Sequence, residues 1–163
     1  MKWPKASFTN FVIVLVGTSL IFLATAWAAE GLSTAFADVT LHHVPLGVAY
    51  KVIGSAKKSL LIRNLGDKTV RVEVDVLPPD LKQLRRGAAA IPDVRWVQVH
   101  PAILDLPPHA EREYEVFLSV PDEDQYRKRL YQVMLWSHSI PTGGEGITVS
   151  AGLLSRLQFS AGL

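Results

Sequence analysis

The stretch VRVEVDV at residues 70–76 decides the fold class of this chain. Valine occupies every second position, and Arg71, Glu73 and Asp75 fill the positions between them. Successive side chains of a β-strand point to opposite faces, so this alternation puts a β-branched row on one face and charges on the other. The pattern predicts a strand with one face in a core and the other in water.

The same period recurs outward from this stretch in both directions. Residues 114–120 alternate in the same way, with Tyr114, Val116 and Leu118 on one face. Further strands are predicted at residues 39–44, 48–53, 58–65, 94–99, 103–106, 131–138 and 147–159. Prolines fall between these runs, where a missing N–H does not interrupt a ladder, and only residues 80–90 hint at a helical turn. Many short strands without long helices predict an all-β immunoglobulin-like antiparallel sandwich of Greek-key type, with about seven to nine strands.

The first 28 residues have the composition of an export signal. Lys2 and Lys5 precede an uncharged run, FVIVLVGTSLIFLATAW at residues 11–27. Small residues then allow cleavage after Ala28, directly behind the run, or after Ala37. A retained anchor is the alternative, and 17 residues of helix span about 26 Å against a hydrocarbon core of ~30 Å. We expect a signal at 1–28, a short leader at 29–38 and the sandwich domain at 39–163.

Composition excludes several classes of function. The chain has no Cys, which excludes disulfides, thiolate metal sites and a Cys nucleophile. Without Lys2 and Lys5 it carries 15 basic and 15 acidic side chains, so it lacks the basic surface that binds nucleic acid. Adjacent His42 and His43 would point to opposite faces of a strand, and neither H-x-x-x-H nor G-x-S-x-G occurs. We therefore predict no catalytic residue, no metal and no cofactor.

The last predicted strand suggests a binding surface. It runs over thirteen residues, 147–159, where about five or six are usual. A strand that forms the edge of a sheet leaves backbone groups free to pair with another chain. The residues on its outward parity are predicted to contact a protein partner: Ser150, Gly152, Leu154 and Arg156. Leu154 is the apolar exception in a polar row, although an internal strand, or two strands kinked at Gly152, is the alternative.

Three stretches resemble the N-terminal immunoglobulin-like domain of the PapD-like periplasmic pilus-assembly chaperones. They are residues 58–77, with the turn Asn64-Leu65-Gly66-Asp67, then YQVMLWS at 131–137, and the long final strand. The resemblance implies a single-domain relative that caps apolar surface on secreted subunits by donating a strand. It also implies a basic pair that anchors the client's C-terminal carboxylate. Lys51 and Arg156 are the nearest counterparts, because residues 29–50 contain no Lys or Arg.

Two functions follow from these features, and an accessory structural domain without a separable activity is the third alternative. The first is an exported, non-enzymatic protein-binding module of the bacterial periplasm, chaperone-like or a subunit of an envelope or pilus-type assembly. We expect its partner to be an envelope protein and expect no binding of nucleic acid. It would contact the membrane only through the signal segment, if that segment is not cleaved. The second is a small carbohydrate- or cell-wall-binding module that uses exposed aromatic rings. Outward, coplanar indoles at Trp96 and Trp136 favour sugar, whereas buried indoles beside an open final strand favour protein.

Overall fold

The structure, a computed structural model, describes residues 31–53, 59–141 and 151–162. These residues form two β-sheets with a shared apolar core. The strands are β1 (Leu32–Thr34), β2 (Asp38–Val44), β3 (Ala49–Lys51), β4 (Leu60–Asn64), β5 (Val70–Leu77), β6 (Ala89–Ala90), β7 (Val97–His100), β8 (Ile103–Leu106), β9 (Glu111–Ser119), β10 (Leu130–Ile140) and β11 (Gly152–Ala161). Single 3-10 turns lie at Val94–Trp96 and Asp124–Tyr126.

The connectivity confirms the predicted immunoglobulin-like sandwich. In one sheet β9 pairs with β3 and β4 on one side and with β7 on the other, and β1 pairs with β4. The other sheet has the order β2-β11-β10-β5-β8, and the short β6 pairs with β10. The predicted signal, residues 1–28, lies outside the described residues. Within the described part of the chain, no helix is long and apolar enough to cross a membrane.

The alternating sequence explains which faces are buried. In β5 the valines 70, 72 and 74 lie in the core, whereas Arg71 is exposed and pairs with Asp105 of β8 at 2.7 Å. In β9 Tyr114, Val116 and Leu118 are buried in the same way. Both predicted strand parities are therefore confirmed.

A buried amide holds the turn that precedes β5. The two N–H groups of Asn64 Nδ2 are shared among the carbonyl oxygens of Lys68, Leu106 and Pro107, at 2.7, 3.1 and 3.1 Å from the nitrogen. Its Oδ1 accepts from the N–H of Gly66 at 2.8 Å. One fully buried side chain thus satisfies groups of its own turn and of the end of β8, which is the condition under which a polar group is stable in a core.

The N-terminal part of the described chain belongs to the sandwich. Residues 31–38, which we expected to be a leader, contain β1, and Phe36 is almost completely buried in the core. The chain then crosses to the second sheet, where β2 runs parallel to β11. The prediction for residues 94–99 also changes in detail, because Asp93 accepts a hydrogen bond from the N–H of Arg95 and caps a 3-10 turn before β7 begins.

Candidate functional site

The final strand has two different halves. Along its whole length β11 pairs antiparallel with β10, from Gly152 opposite His138 to Ser160 opposite Leu130. On its other side β2 pairs with it only from Arg156 onward. We call residues 152–155 the open segment and residues 156–161 the clamped segment. The predicted edge is therefore restricted to the open segment, and the rest of the strand is internal.

In the open segment, the backbone N–H and C=O groups of successive residues point alternately toward β10 and toward the opposite edge. The carbonyl of Ala151 accepts from the N–H of Ser139 at 2.9 Å, so odd-numbered residues of this strand face β10. The N–H of Arg156 donates to the carbonyl of Ala37 at 2.8 Å, so even-numbered residues face the opposite edge. It follows that the N–H and C=O groups of Gly152 and Leu154 point to an edge where no described strand pairs with them.

The side chains that the sequence predicts at this site lie together on the outer face of the sheet. Gly152 and Leu154 are exposed, with 43% of Leu154 accessible, and Arg156 is partly buried beside Asp38 at 2.8 Å. Leu153 points inward and packs against the core from a half-buried position. Ser150, the fourth predicted residue, lies outside the described residues. The structure thus brings three of the four residues to one surface.

The two cations proposed as a carboxylate anchor are not close to each other. Lys51 lies on β3 and pairs with Glu115 of β9, on the outer face of one sheet. Arg156 lies on the outer face of the other sheet, where it shares Asp38 with Arg85. Because the core separates these faces, the arrangement does not support a single carboxylate held by both side chains.

The two tryptophans differ in their surroundings. Trp96 is 7% exposed and packs edge-on against Tyr126 and Tyr131 in the core. Trp136 lies on the outer face, half-buried, and stacks on His138 with ring centroids 5.8 Å apart and planes at 14°. These two indoles do not form the coplanar outward pair that would favour the carbohydrate-binding function.

Trp136 is a residue of this site that sequence reasoning named only for the carbohydrate-binding alternative. A Cβ atom added to Gly152 would lie 2.2 Å from Cη2 of this ring and 2.5 Å from Cζ2, so the indole lies directly over the Gly152 backbone. A signal for this placement exists in the sequence. Trp136 shares the parity of Gln132 and His138, whereas Tyr131, Val133 and Leu135 form the apolar row of the same strand.

The remaining part of the outer face is covered by the loop that follows β5. The side chain of Gln132 donates to the carbonyl of Gln83 at 2.8 Å and accepts from the N–H of Arg85 at 3.0 Å. Met134 and Gln132 are buried beneath this loop. The part of the chain that the structure describes contains no group of three or more potential metal-binding side chains.

Comparisons with known proteins add a fold relationship. No family model matches the chain, and no curated protein matches its sequence. Solved structures do match, and the three described next share 14% sequence identity or less with this chain. PapD-like domain 7 of human CEP192 matches with a TM-score of 0.55 at 14% identity, over 80% of this chain and 84% of that one.

Two structures that contain chaperones match over a similar part of the chain. For the periplasmic chaperone SfaE the TM-score is 0.52 at 10% identity, covering 80% of this chain and 58% of SfaE. For the Salmonella enterica SafA pilin in complex with the SafB chaperone it is 0.52 at 12% identity, covering 82% of this chain and 58% of the matched chain. The chain thus spans just over half the length of these two matches, and its fold is that of PapD-like immunoglobulin domains.

Proposed function

We propose that this chain is an exported, non-enzymatic protein-binding domain with a chaperone-like role in the bacterial envelope. It binds an extended segment of a secreted or envelope protein as an additional strand on the open segment of β11. The observation that carries this proposal is the pair of backbone sites at Gly152 and Leu154, which face an edge left free by β2.

The physical basis is strand addition. Backbone N–H and C=O groups at a sheet edge supply affinity for an extended chain, and alternate side chains supply specificity. The open segment offers both features, since no described strand pairs with its even-numbered backbone groups and its two faces differ. Leu153 and Ala151 are half-buried against the core on the inner face, and Leu154 is exposed on the outer face. A partner segment with apolar residues at alternate positions would cover these side chains.

The fold relationship supports the same proposal. SfaE is a periplasmic chaperone, and the other structure contains the SafB chaperone in complex with the pilin SafA. A PapD-like domain is therefore compatible with binding an extended protein segment, although the fold by itself does not define an activity. Periplasmic location for this chain follows from the export signal predicted at residues 1–28.

The core favours one of the two predicted cleavage positions. Cleavage after Ala37 would remove β1 and the buried ring of Phe36, whereas cleavage after Ala28 keeps both. Loss of a buried Phe side chain alone costs about 3–5 kcal/mol. We expect N-terminal sequencing of the exported protein to begin at Ala29. An intact Met1 in the membrane fraction would instead make the protein membrane-anchored.

The binding proposal is tested by a charge on the open segment. Leu154→Asp places a carboxylate at an exposed position, so the melting temperature should remain nearly unchanged while capture of envelope proteins by the purified domain is lost. Thr40→Asp is the matched control, because Thr40 is exposed on β2 beside the clamped segment. If the folded Leu154 variant captures the same proteins as the wild type, the binding site lies elsewhere.

A further inference from the structure

We infer that the open segment selects a partner strand carrying arginine or lysine opposite Gly152, and that Trp136 is the residue that recognises this cation. The inference rests on the proposed strand addition and adds the chemistry of one partner side chain. It follows from the position of one indole ring and from the charges behind it.

The first step is geometric. The indole of Trp136 reaches from β10 across β11 and lies over Gly152, where a Cβ would be 2.2 Å from the ring. A strand added at the open edge would lie about 4.8 Å beyond β11. Its outward side chain opposite Gly152 would find no side chain on β11 between itself and the ring. Among the described residues, Trp136 is therefore the first group that this partner side chain meets on the outer face.

The second step is electrostatic. On the far side of Trp136 lies His138, whose ring nitrogens are 3.9 Å from a carboxylate oxygen of Glu73 and 3.7 Å from one of Asp75. Among the described residues, no Lys or Arg lies within 4 Å of either carboxylate. The nearest cation along β5, Arg71, is paired with Asp105. The two carboxylates therefore favour an incoming cation at the Gly152 end of the face, whereas Arg85 and Arg156, which share the single carboxylate of Asp38, lie beside the clamped segment.

The third step joins these features to one kind of side chain. The face of a Trp ring attracts a cation, and arginine also stacks its planar guanidinium on an aromatic ring. An acidic side chain at the same place would face both the electron-rich ring and the two carboxylates. An aliphatic side chain would gain contact with the ring but nothing from the charges. Arginine or lysine is therefore the side chain that best fits the position opposite Gly152.

Three short peptides test the inference on the folded domain. Acetylated and amidated TVRVT, TVLVT and TVEVT differ only in the central side chain, and their binding is followed by the NMR shifts of the Gly152 and Leu154 amides. We expect the arginine peptide to bind about two- to five-fold more tightly than the leucine peptide, as a single cation–π contact allows. The glutamate peptide should bind most weakly of the three.

Two sets of variants assign the effect to its source. Trp136→Leu should remove the preference for arginine while binding of the leucine peptide stays the same. The double variant Glu73→Gln and Asp75→Asn should reduce the preference for arginine. It tests the inference independently if Trp136→Leu does not fold. Asp105→Asn is the control, because this exposed outer-face carboxylate is already paired with Arg71. Its arginine preference should match that of the wild type.

The outcomes separate this inference from the proposed function. If all three peptides shift the two amides with equal affinity, strand addition stands and recognition of a cation by Trp136 is wrong. If no peptide shifts these amides, the open segment is not a strand acceptor and both ideas are wrong. A preference for arginine that persists in Trp136→Leu and in the carboxylate pair would also overturn the assignment.

Discussion

The open and clamped segments of β11 are neighbours in one strand, yet their surroundings differ. Residues 156–161 lie between β10 and β2, and Leu157, Phe159 and Ala161 are completely buried. Residues 152–155 pair with β10 but not with β2, and their outward side chains are exposed. The inner row is apolar in both halves except for Ser155, so the side-chain pattern alone does not distinguish them. The start of β2 at Asp38 makes the difference.

This difference separates stability from binding within a single element. Side chains of the clamped segment bury apolar surface on both sheets, which is the main source of folding free energy. The open segment keeps its backbone groups facing an edge, which is the requirement for adding a strand. Substitutions in the clamped segment should therefore affect folding, and substitutions in the open segment should mainly affect binding.

The largest expected effect comes from removing a core ring in the clamped segment. Phe159→Ala should reduce the free energy of unfolding by about 3–5 kcal/mol, because Phe159 is fully buried and packs against Tyr131. Leu154→Ala in the open segment should cost about 0.5 kcal/mol or less, since this side chain is exposed. Urea denaturation of the two variants measures both values. Similar losses in the two variants would mean that the halves do not differ in their contribution to the core.

Much of the sandwich was predictable because its strands carry local signals. The alternation in 70–76 and 114–120 required only the period of two that every half-buried strand shows. The same reasoning predicted that Leu154 is exposed, since it shares a parity with Arg156 and Gln158. The turn at Asn64 was also predictable, but the hydrogen bonds of its buried amide to the end of β8, 42 and 43 residues away, were not.

The extent of the open segment was not predictable, because it depends on a distant register. Arg156 pairs with Asp38 across 118 residues of sequence, and no local pattern indicates where β2 begins beside β11. β1 escaped prediction for a related reason. Three residues, Leu32–Thr34, are too few to show a period, and their pairing with β4 is also long-range. The alternation along β10 indicates that Trp136 faces outward, but its position over Gly152 depends on how β10 and β11 pair.

A pair of proline substitutions tests the direction of the backbone groups. Ser155→Pro removes an N–H that faces β10, which leaves a buried carbonyl without its donor and should cost about 1–3 kcal/mol. Leu154→Pro removes an N–H that faces the free edge, so it should cost less and should abolish capture of the partner. Thermal melts and the capture assay report the two effects separately. If Leu154→Pro is the more destabilising of the two, the assigned backbone alternation is wrong.

A substitution at Gly152 tests the contact that defines the outer face of the open segment. Gly152→Ala places a methyl group where the ring of Trp136 now lies, with three ring atoms within 2.9 Å of the new Cβ. Because the indole is only half-buried, it can rotate away, and the loss should be about 1 kcal/mol, at the low end for overpacking. Combining Gly152→Ala with Trp136→Leu removes the clash, so the double variant should be more stable than the sum of the single effects predicts. Urea denaturation of all four proteins gives this coupling energy. Strict additivity would show that Trp136 does not rest on Gly152, and the aromatic surface inferred for the open segment would then be absent.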